Sequence, residues 1–555
     1  MLTRAVAFYT DKIKDKVDWR LLTFLLLFLN VKLAIKIPVI LLFSLWPANF
    51  KFGFRFKDSR LPLFYPLIII IALVNWIIYQ GYANGNYNIV LLTGIGFWLL
   101  CILAIHQVKL AVDNNAPEKV HQTITAFFII NALISFLTLA IIVLKTHAIN
   151  PYTYQGQYQK YFINTGDYIK GIAFDTSITN STLSAFGVIY FLIRKNATML
   201  LVYMAILLFT ASNFVNLALL PILLLLFVFR TDRFQKSLVV ICLVFLIVFM
   251  AKISPQNNNY TAQTLIHLFK KDKPVNTAAV LINPMANWRI TDRPDNTLNP
   301  EERKQKIATL YLDSVGRILD SIRASKRPDY VKNVFLADGG RIAITEPDLN
   351  SDYYQYKKET PVEMIQLVNF IKSHKAVLPT AGNDDFIYSI PGKTAGFLQT
   401  ASFFRNHLGK ILTGTGIGNF SSKLAYRAVG FGFAGGYPSG DAYINRDFMV
   451  NHLDLYLYFY SKQTSLHSIS NSPSSVYDQL LAEYGLLGII LFIICYIGFF
   501  ARHYKKLTYG LPILFLMLAV LLTDYWFEQL SVMVFFELLL LLNIKENQTV
   551  KPILQ

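Results

Sequence analysis

A glycine-rich turn late in the chain carries the most informative residues. The segment Pro391–Phe420 begins with a helix-length stretch and ends in alternating glycines, Gly414, Gly416 and Gly418, followed by Asn419. Alternating glycines allow a tight turn with exposed backbone N–H groups, which can bind phosphate or diphosphate oxygens. The alternative is a turn that only joins a surface helix to the next segment, since a short glycine pattern is a weak signal.

A carboxylate, Glu483, follows in the segment Ser472–Ile493, where the chain enters a long apolar block. It lies two residues before Gly485 and five before Gly488. Near a membrane surface, such a carboxylate could accept a proton from a substrate hydroxyl. The alternative is a carboxylate that caps a helix or forms an ion pair.

Long apolar blocks surround these residues and indicate a membrane protein. The 555-residue chain is 54% hydrophobic and 15% charged, with a mean hydropathy of +0.41, whereas about a quarter of the residues in soluble proteins are charged. Many blocks approach or reach the length needed to cross a hydrocarbon core. About twelve spans are predicted, with boundaries good to about three residues, at 20–34, 35–49, 61–80, 89–112, 122–145, 180–194, 197–211, 213–229, 236–253, 480–500, 507–523 and 525–543.

The distribution of Lys and Arg predicts the orientation of the spans. The net charge of +18 could indicate nucleic-acid binding, but much of it lies in short segments between apolar blocks. There it orients a membrane protein, so no nucleic-acid partner is expected. If the amino terminus is inside, every short inside segment is basic, and the outside segment Gly81–Asn88 has no charge. Both termini are therefore predicted to be cytoplasmic.

The predicted spans divide the chain into three parts. Residues 1–253 form a membrane domain of about nine spans with an outer loop at 146–179, and residues 476–555 form one of about three. Between them, residues 254–475 form a large extracytoplasmic loop domain, with helix starts predicted at Asn299 and Thr360. The predicted fold class is an all-α polytopic membrane protein with a mainly helical loop domain between spans nine and ten.

Cysteine, metal-ligand and nucleotide-binding patterns give no sign of a cofactor. All three cysteines, Cys101, Cys242 and Cys495, lie inside apolar blocks, so neither a disulfide framework nor a thiolate metal site is implied. No Walker lysine motif and no cluster of metal ligands is visible in the sequence. We therefore expect no metal and no other cofactor.

Three separated segments resemble the O-antigen ligase and polymerase superfamily, whose members use lipid-linked glycan donors. The segment from Tyr168 is similar to the family's Arg-x-Gly-x-Phe-x-Asp-Pro-Asn motif, and Gly392–Phe420 is similar to its Gly-Arg segment and glycine turn. Tyr477–Phe492 is similar to the Leu-x-Glu-x-Gly-x-x-Gly opening of the span after the large loop. A weaker fourth segment, from Leu207, is similar to the family's Thr-x-Ser-Arg segment.

The resemblance implies a glycosyltransferase of the bacterial inner membrane, acting on the periplasmic side. It would move or polymerise a polyprenyl-diphosphate-linked glycan, without a metal, onto lipid A core or a glycan acceptor. Its partners would be that donor, the acceptor and membrane lipids. Glu483 and Arg405 are the predicted catalytic residues. The predicted contacts of the donor diphosphate are Lys170, Lys393, Gly414, Gly416, Gly418 and Asn419.

The chain departs from the family pattern where the family has arginine. Lys170, Asn213 and Lys393 occupy those positions. Lysine keeps the positive charge but loses the bidentate fork of arginine, and asparagine keeps neither.

A second departure concerns histidine. Ser474 and Ser475 stand where the ligases have a His-Asn pair, which favours a polymerase over a ligase. His452 and His467 lie upstream and are possible substitutes, and Ser474 itself is a further candidate.

Two functions outside this class stay open. One is a twelve-span transporter or exporter of a polysaccharide-related or anionic solute, although transporters usually show internal repeats and none is visible here. The other is a non-catalytic relative that senses or assembles.

Ionisable residues inside predicted spans need a partner, because a charge in hydrocarbon is costly. Lys32 or Lys36 is predicted to pair with Glu528, and Glu537 is predicted to face the bundle interior.

Overall fold

The structure is a computed structural model of the chain. It describes residues 16–29, 33–46, 49–153, 166–173, 176–253, 291, 306, 392–429, 436–452, 455–456, 469 and 472–549. All regular secondary structure in these ranges is helical. The helix starts predicted at Asn299 and Thr360, as well as His467 and Lys32, lie outside the described residues.

Each of the twelve predicted apolar blocks contains a helix. The first nine blocks give α1 Trp19–Phe28, α2 Leu33–Leu45, α3 Phe64–Ile78, α4 Gly85–Asn114, α5 Pro117–Thr146, α6 Ser177–Ile193, α7 Ala197–Phe209, α8 Asn213–Phe229 and α9 Arg233–Val248. Three helices precede the last blocks, namely α10 Gly392–Asn406, α11 Lys423–Ala428 and α12 Arg446–Asn451. The last three blocks give α13 Val476–Leu491, α14 Gly510–Val520, α15 Trp526–Gln529 and α16 Ser531–Thr549.

Four helices in the described ranges are long and apolar enough to cross a membrane. These are Gly85–Asn114, Pro117–Thr146, Arg233–Ile253 and Val476–Ala501, where the last two include π-helical turns. Among the described residues, seven further apolar helices have 10–17 residues. The described part of the chain is therefore all-helical with the apolar helices of a membrane protein, and the count of twelve spans stays a prediction.

The last helix, α16, lies at the centre of the bundle. Its residues from Ser531 to Asn543 are buried, and it packs against α4, α5, α6 and α14. A helix that is apolar on all sides is expected to be buried, and the run from Val532 to Leu542 is interrupted only by Glu537.

Glu537 faces the bundle interior, as predicted. It is 1% exposed and accepts hydrogen bonds from the hydroxyl groups of Tyr65 and Tyr496. Lys36 is also buried, and its Nζ donates to the Gln529 carbonyl and the Ser531 hydroxyl. Lys36 thus reaches the segment next to Glu528, which the predicted pairing requires.

Candidate functional site

The helix that follows the long loop is interrupted at Gly485. This residue has φ 67° and ψ −164°, a conformation that is essentially restricted to glycine. The carbonyls of Ala482 and Glu483 therefore lose their acceptor role within the helix. They accept instead from the N–H groups of Thr415 and Gly416, each at 3.0 Å.

The other side of the interruption is paired in the same way. The N–H groups of Leu486 and Leu487 donate to the carbonyls of Ile411 and Leu412, at 2.9 and 3.0 Å. The 411–416 loop therefore supplies both the donors and the acceptors that the broken helix lacks. Because buried backbone groups must be paired, the loop and α13 are fixed to each other.

The alternating glycines form the predicted tight turn. Gly414, Gly416 and Gly418 all have positive φ, at 80°, 93° and 71°. A Cβ on Gly414 would lie 2.4 Å from the carbonyl carbon of Glu483, and one on Gly418 would lie 2.4 Å from a Val90 methyl carbon. Glycine is therefore required by both conformation and close packing.

The N–H groups of these glycines, which are predicted to contact the donor diphosphate, have partners within the chain. Gly414 donates to the Lys410 carbonyl at 2.8 Å, Gly416 donates to the Glu483 carbonyl, and Gly418 donates to Glu483 Oε2 at 2.9 Å. Asn419 is also committed to the loop, because its Nδ2 donates to Thr415 at 2.8 Å.

Glu483 caps a turn, which is the alternative that its sequence position left open. Besides Gly418, its carboxylate accepts from the N–H groups of Phe420, Ser421 and Ser422 at 3.2, 3.3 and 3.0 Å. These groups lead directly into α11, and Glu483 is fully buried. Because four N–H groups already occupy its oxygens, this geometry is that of a structural carboxylate, and the catalytic role of Glu483 stays a prediction.

A buried polar cluster lies beside this turn and contains one of the predicted histidines. His452 Nε2 lies 3.3 Å from Asp478 Oδ2, and Asp478 Oδ1 accepts from the Thr400 hydroxyl at 2.8 Å. All three residues are at most 1% exposed. The cluster connects the C-terminal end of α12 to α10 and α13.

Asp478 and Thr400 did not appear among the predicted site residues. A signal for Asp478 was present, since a carboxylate at the start of an apolar helix needs an account. Thr400 offered none, because a threonine on a helix face has no distinctive spacing.

Lys393 lies close to Asp478 of this cluster. Its Nζ donates to the Ser474 carbonyl and lies 3.5 Å from the Thr523 carbonyl, and the residue is partly exposed. Burial lowers the pKa of Lys393 to about 7, although Asp524 and Asp478 oppose this shift. The structure thus brings Lys393, the Ser474 carbonyl, Asp478 and His452 together.

Two positively charged residues of the predicted site, Arg405 and Lys170, do not belong to this cluster. Arg405 is exposed near the C-terminal end of α10, on the face away from the buried Phe403 and Phe404. Lys170 lies in a segment that the side chains of Asn131 and Asn180 hold against α5 and α6.

The two N-terminal segments that resemble the family, those near Tyr168 and Leu207, contact each other. A Cβ on Gly166 would lie 2.6 Å from the Phe209 carbonyl oxygen, and the side chains of Ile169 and Phe209 share a small apolar cluster. The four segments are therefore grouped in two pairs, 166–173 with the end of α7, and 392–420 with the start of α13.

Comparisons of the chain with protein-family models, with curated proteins and with solved structures found no match. A function for the site therefore has to be argued from its geometry and from the motif resemblance.

Proposed function

We propose that the chain is a glycosyltransferase of the bacterial inner membrane that transfers or polymerises a polyprenyl-diphosphate-linked glycan on the periplasmic side. One observation carries this proposal. The helix α10 and the glycine turn that follows it pack as one unit with the start of α13, which is distant in sequence, and a cation, a histidine and a carboxylate meet where they join. These are the segments on which the resemblance depends.

Lys393 is the cation that best suits the leaving diphosphate. Lys393 is partly exposed, and its ammonium group is held between two backbone carbonyls, so its position is defined before a ligand arrives. A preorganised cation stabilises the negative charge that develops on a leaving diphosphate. The diphosphate contact of Lys170 and the catalytic role of Arg405 remain predictions.

His452 is the group that best suits the proton of the acceptor. The oxygen of the acceptor hydroxyl attacks the anomeric carbon, the bond from that carbon to the diphosphate oxygen breaks, and its electron pair leaves with the diphosphate. The hydroxyl proton passes to His452, and Asp478 stabilises the imidazolium that forms. Direct displacement inverts the anomeric centre.

The decisive experiment incubates the purified protein with a polyprenyl-diphosphate oligosaccharide and analyses the products. We expect transfer by the wild type, and at least a tenfold loss for His452→Ala and Lys393→Ala. Lys505→Ala is the matched control, since this lysine is exposed in the segment between α13 and α14. A protein that neither binds nor consumes such donors would contradict the proposal.

The nature of the acceptor separates two reactions within this class. The absence of a His-Asn pair at Ser474 and Ser475 favours a polymerase. A deletion strain of a polymerase accumulates single-repeat surface glycan, whereas a deletion strain of a ligase lacks capped lipid.

A transporter is the second candidate, and one observation favours it. Two neighbouring helical segments are interrupted, at Gly485 and at Leu530, which has φ 70°. Buried carboxylates lie close to both interruptions, namely Glu483 and Glu528. Interrupted helices beside polar sites are common in transporters. Uptake of a soluble solute into proteoliposomes, without glycan transfer, would favour this function.

A further inference from the structure

The loop that joins α2 to α3 alternates aromatic and basic residues. Its residues 50–57 read Phe-Lys-Phe-Gly-Phe-Arg-Phe-Lys. Phe52 and Phe54 are half-buried and pack against the main apolar core of the bundle. Lys51 and Arg55, which alternate with them, are exposed. The loop therefore has an aromatic side that faces the bundle and a basic side that faces outwards.

Contacts with α4 hold this loop in place. His106 Nε2 donates to the Asn49 carbonyl at 2.6 Å, and the Arg60 guanidinium pairs with Asp113 at 3.1 Å. Arg60 also closes the loop, because its Nη1 donates to the Lys51 carbonyl at 2.9 Å. The backbone of the loop is therefore fixed before a partner arrives, which lowers the entropic cost of binding.

Three cations of the loop have no carboxylate partner among the described residues. Lys51, Arg55 and Lys57 are exposed, and the ion pairs of the described residues do not include them. Asp58 is the only acidic residue in the loop sequence 49–60. The basic side thus presents three positive charges against one negative charge, and an anionic partner would fit it.

Exposed aromatic rings flank these cations. Phe56, which lies between two of them, is 95% exposed, and Phe50 and Trp46 are 49% and 77% exposed. Large apolar side chains exposed in a group mark a surface that contacts a partner or a membrane. Exposed rings next to Lys and Arg are typical of segments that lie in the membrane–water interface, where the rings enter the lipid and the cations meet headgroup phosphates.

The position of the loop favours a lipid over a soluble acidic partner. The loop connects two apolar helices, so it lies where α2 ends and α3 begins. The charge pattern predicts that this is the inside surface of the membrane, where anionic phospholipids attract Lys and Arg. A lipid surface accounts for both features of the loop, because it offers phosphates and hydrocarbon side by side.

We infer that the loop 49–60 binds anionic phospholipid headgroups through Lys51, Arg55 and Lys57, while Phe56 enters the hydrocarbon beside them. This surface is separate from the candidate functional site. The hydroxyl group of Tyr79, which follows α3, donates to the Gly414 carbonyl at 3.0 Å, so the glycine turn and the loop lie at opposite ends of that helix. The inference therefore does not depend on glycan transfer.

The test measures the equilibrium binding of two fluorescent phospholipids to the purified full-length protein in detergent. One is phosphatidylglycerol, which is anionic, and the other is phosphatidylcholine with the same acyl chains, which is zwitterionic. We expect the wild type to bind phosphatidylglycerol at least tenfold more tightly. The combined variant Lys51→Gln, Arg55→Gln and Lys57→Gln should reduce this preference to less than threefold.

The matched control removes three other exposed cations on the same predicted side. The combined variant Arg233→Gln, Lys505→Gln and Lys506→Gln changes the net charge equally, and it should keep the preference.

Two further variants examine the loop itself. Lys51→Arg with Lys57→Arg keeps the charge and should also keep the preference. Phe56→Ser should weaken the binding of both lipids at least threefold without changing the preference, because the ring contacts hydrocarbon and not the headgroup. Thermal unfolding should show that all these variants fold, since the substituted side chains are exposed.

Several results would overturn the inference. The wild type could bind both lipids equally, or the loop variant could keep the preference. An equal loss of preference in the control variant would show that net charge is responsible and not the loop. Displacement of phosphatidylglycerol by inorganic phosphate alone would indicate a site for free anions. Saturable binding of polyglutamate that the loop variant abolishes, without any lipid preference, would indicate an acidic protein partner.

Discussion

At the scale of single residues, substitution of Glu483 distinguishes a structural role of its carboxylate from a catalytic one. Its four N–H donors predict that Glu483→Gln will lower the thermal stability of the protein. The cost should be about 3 kcal/mol, since the hydrogen bonds lost are those to a charged acceptor. Thermal unfolding in detergent measures it. Full stability together with lost glycan transfer would show instead that Glu483 is catalytic.

The lowered pKa of Lys393 predicts that donor binding depends on pH. Its pKa of about 7 means that the ammonium group is present below this pH and is lost above it. We expect the affinity for polyprenyl diphosphate to fall as the pH rises from 6 to 8. Lys393→Arg should remove this dependence, because arginine stays charged throughout this range. A wild-type affinity that does not change with pH would contradict the role of Lys393.

The same shift predicts the effect of Lys393 on folding stability. A lysine whose pKa is lower in the folded state than in the unfolded state destabilises the fold while it is charged. The unfolded state then binds more protons between pH 7 and the usual lysine pKa, so stability rises with pH across this window. Lys393→Met should flatten this rise in thermal unfolding experiments.

The sequence predicted some of these residues and not others, for physical reasons. Three alternating glycines predicted positive φ, because the absence of a Cβ is a local property. The acceptor that the N–H groups of Gly416 and Gly418 meet is Glu483, more than sixty positions later in the chain. The pairing of His452 with Asp478 is equally non-local, so only the histidine was foreseen.

At the scale of elements, the interruption of α13 predicts a sharp requirement for glycine. A Cβ on Gly485 would lie 2.4 Å from the Leu412 carbonyl oxygen, and φ there is 67°. Gly485→Ala should therefore break the pairing with the 411–416 loop and cause a large loss of folded protein. Size-exclusion chromatography and thermal unfolding measure this loss.

The control for this prediction is Gly96→Ala. Gly96 lies inside α4, and nothing lies within 4 Å of the position of a Cβ there. Because alanine favours helix over glycine, this variant should fold as well as the wild type or better. If the two variants gave the same yield of folded protein and the same thermal stability, the requirement for the pairing between α13 and the 411–416 loop would be contradicted.

The apolar blocks could be predicted as helices because the length and apolar composition of a segment are what identify a membrane-spanning helix. The twelve blocks each contain a helix, and Pro117 at the start of α5 fits the known preference of proline for that position. The interruptions were not predictable, since the partners that satisfy the freed backbone groups lie far away in sequence. Leu530 shows this most clearly, because leucine gives no local sign of a positive φ.

At the scale of the whole molecule, the C-terminal helix joins parts of the chain that the sequence divides. The segment 476–555 was predicted as a membrane domain separate from 1–253. In the structure, α16 packs against α4, α5 and α6, and Lys545 donates to carbonyls at the end of α4. The two segments therefore share one core, and the site lies where the loop residues from 392 onwards meet it.

The orientation of this bundle can be tested at the two ends of α4. This helix has 30 residues, so it is about 45 Å long and exceeds a hydrocarbon core of about 30 Å. Ala83 precedes it and Ala116 follows it, and both are exposed. The charge pattern predicts that Ala83 lies outside, because its segment is uncharged, and that Ala116 lies inside, between Lys109 and Lys119.

Cysteine labelling of the matched pair Ala83→Cys and Ala116→Cys distinguishes the two sides. A membrane-impermeant maleimide should label Ala83→Cys in intact cells, and it should label Ala116→Cys only after permeabilisation. The native cysteines provide the background, and Cys101 and Cys242 are buried. If Ala116→Cys alone were labelled in intact cells, Lys393 and His452 would face the cytoplasm, because the long loop and the 81–88 segment are predicted on the same side. A periplasmic glycosyltransferase would then be impossible.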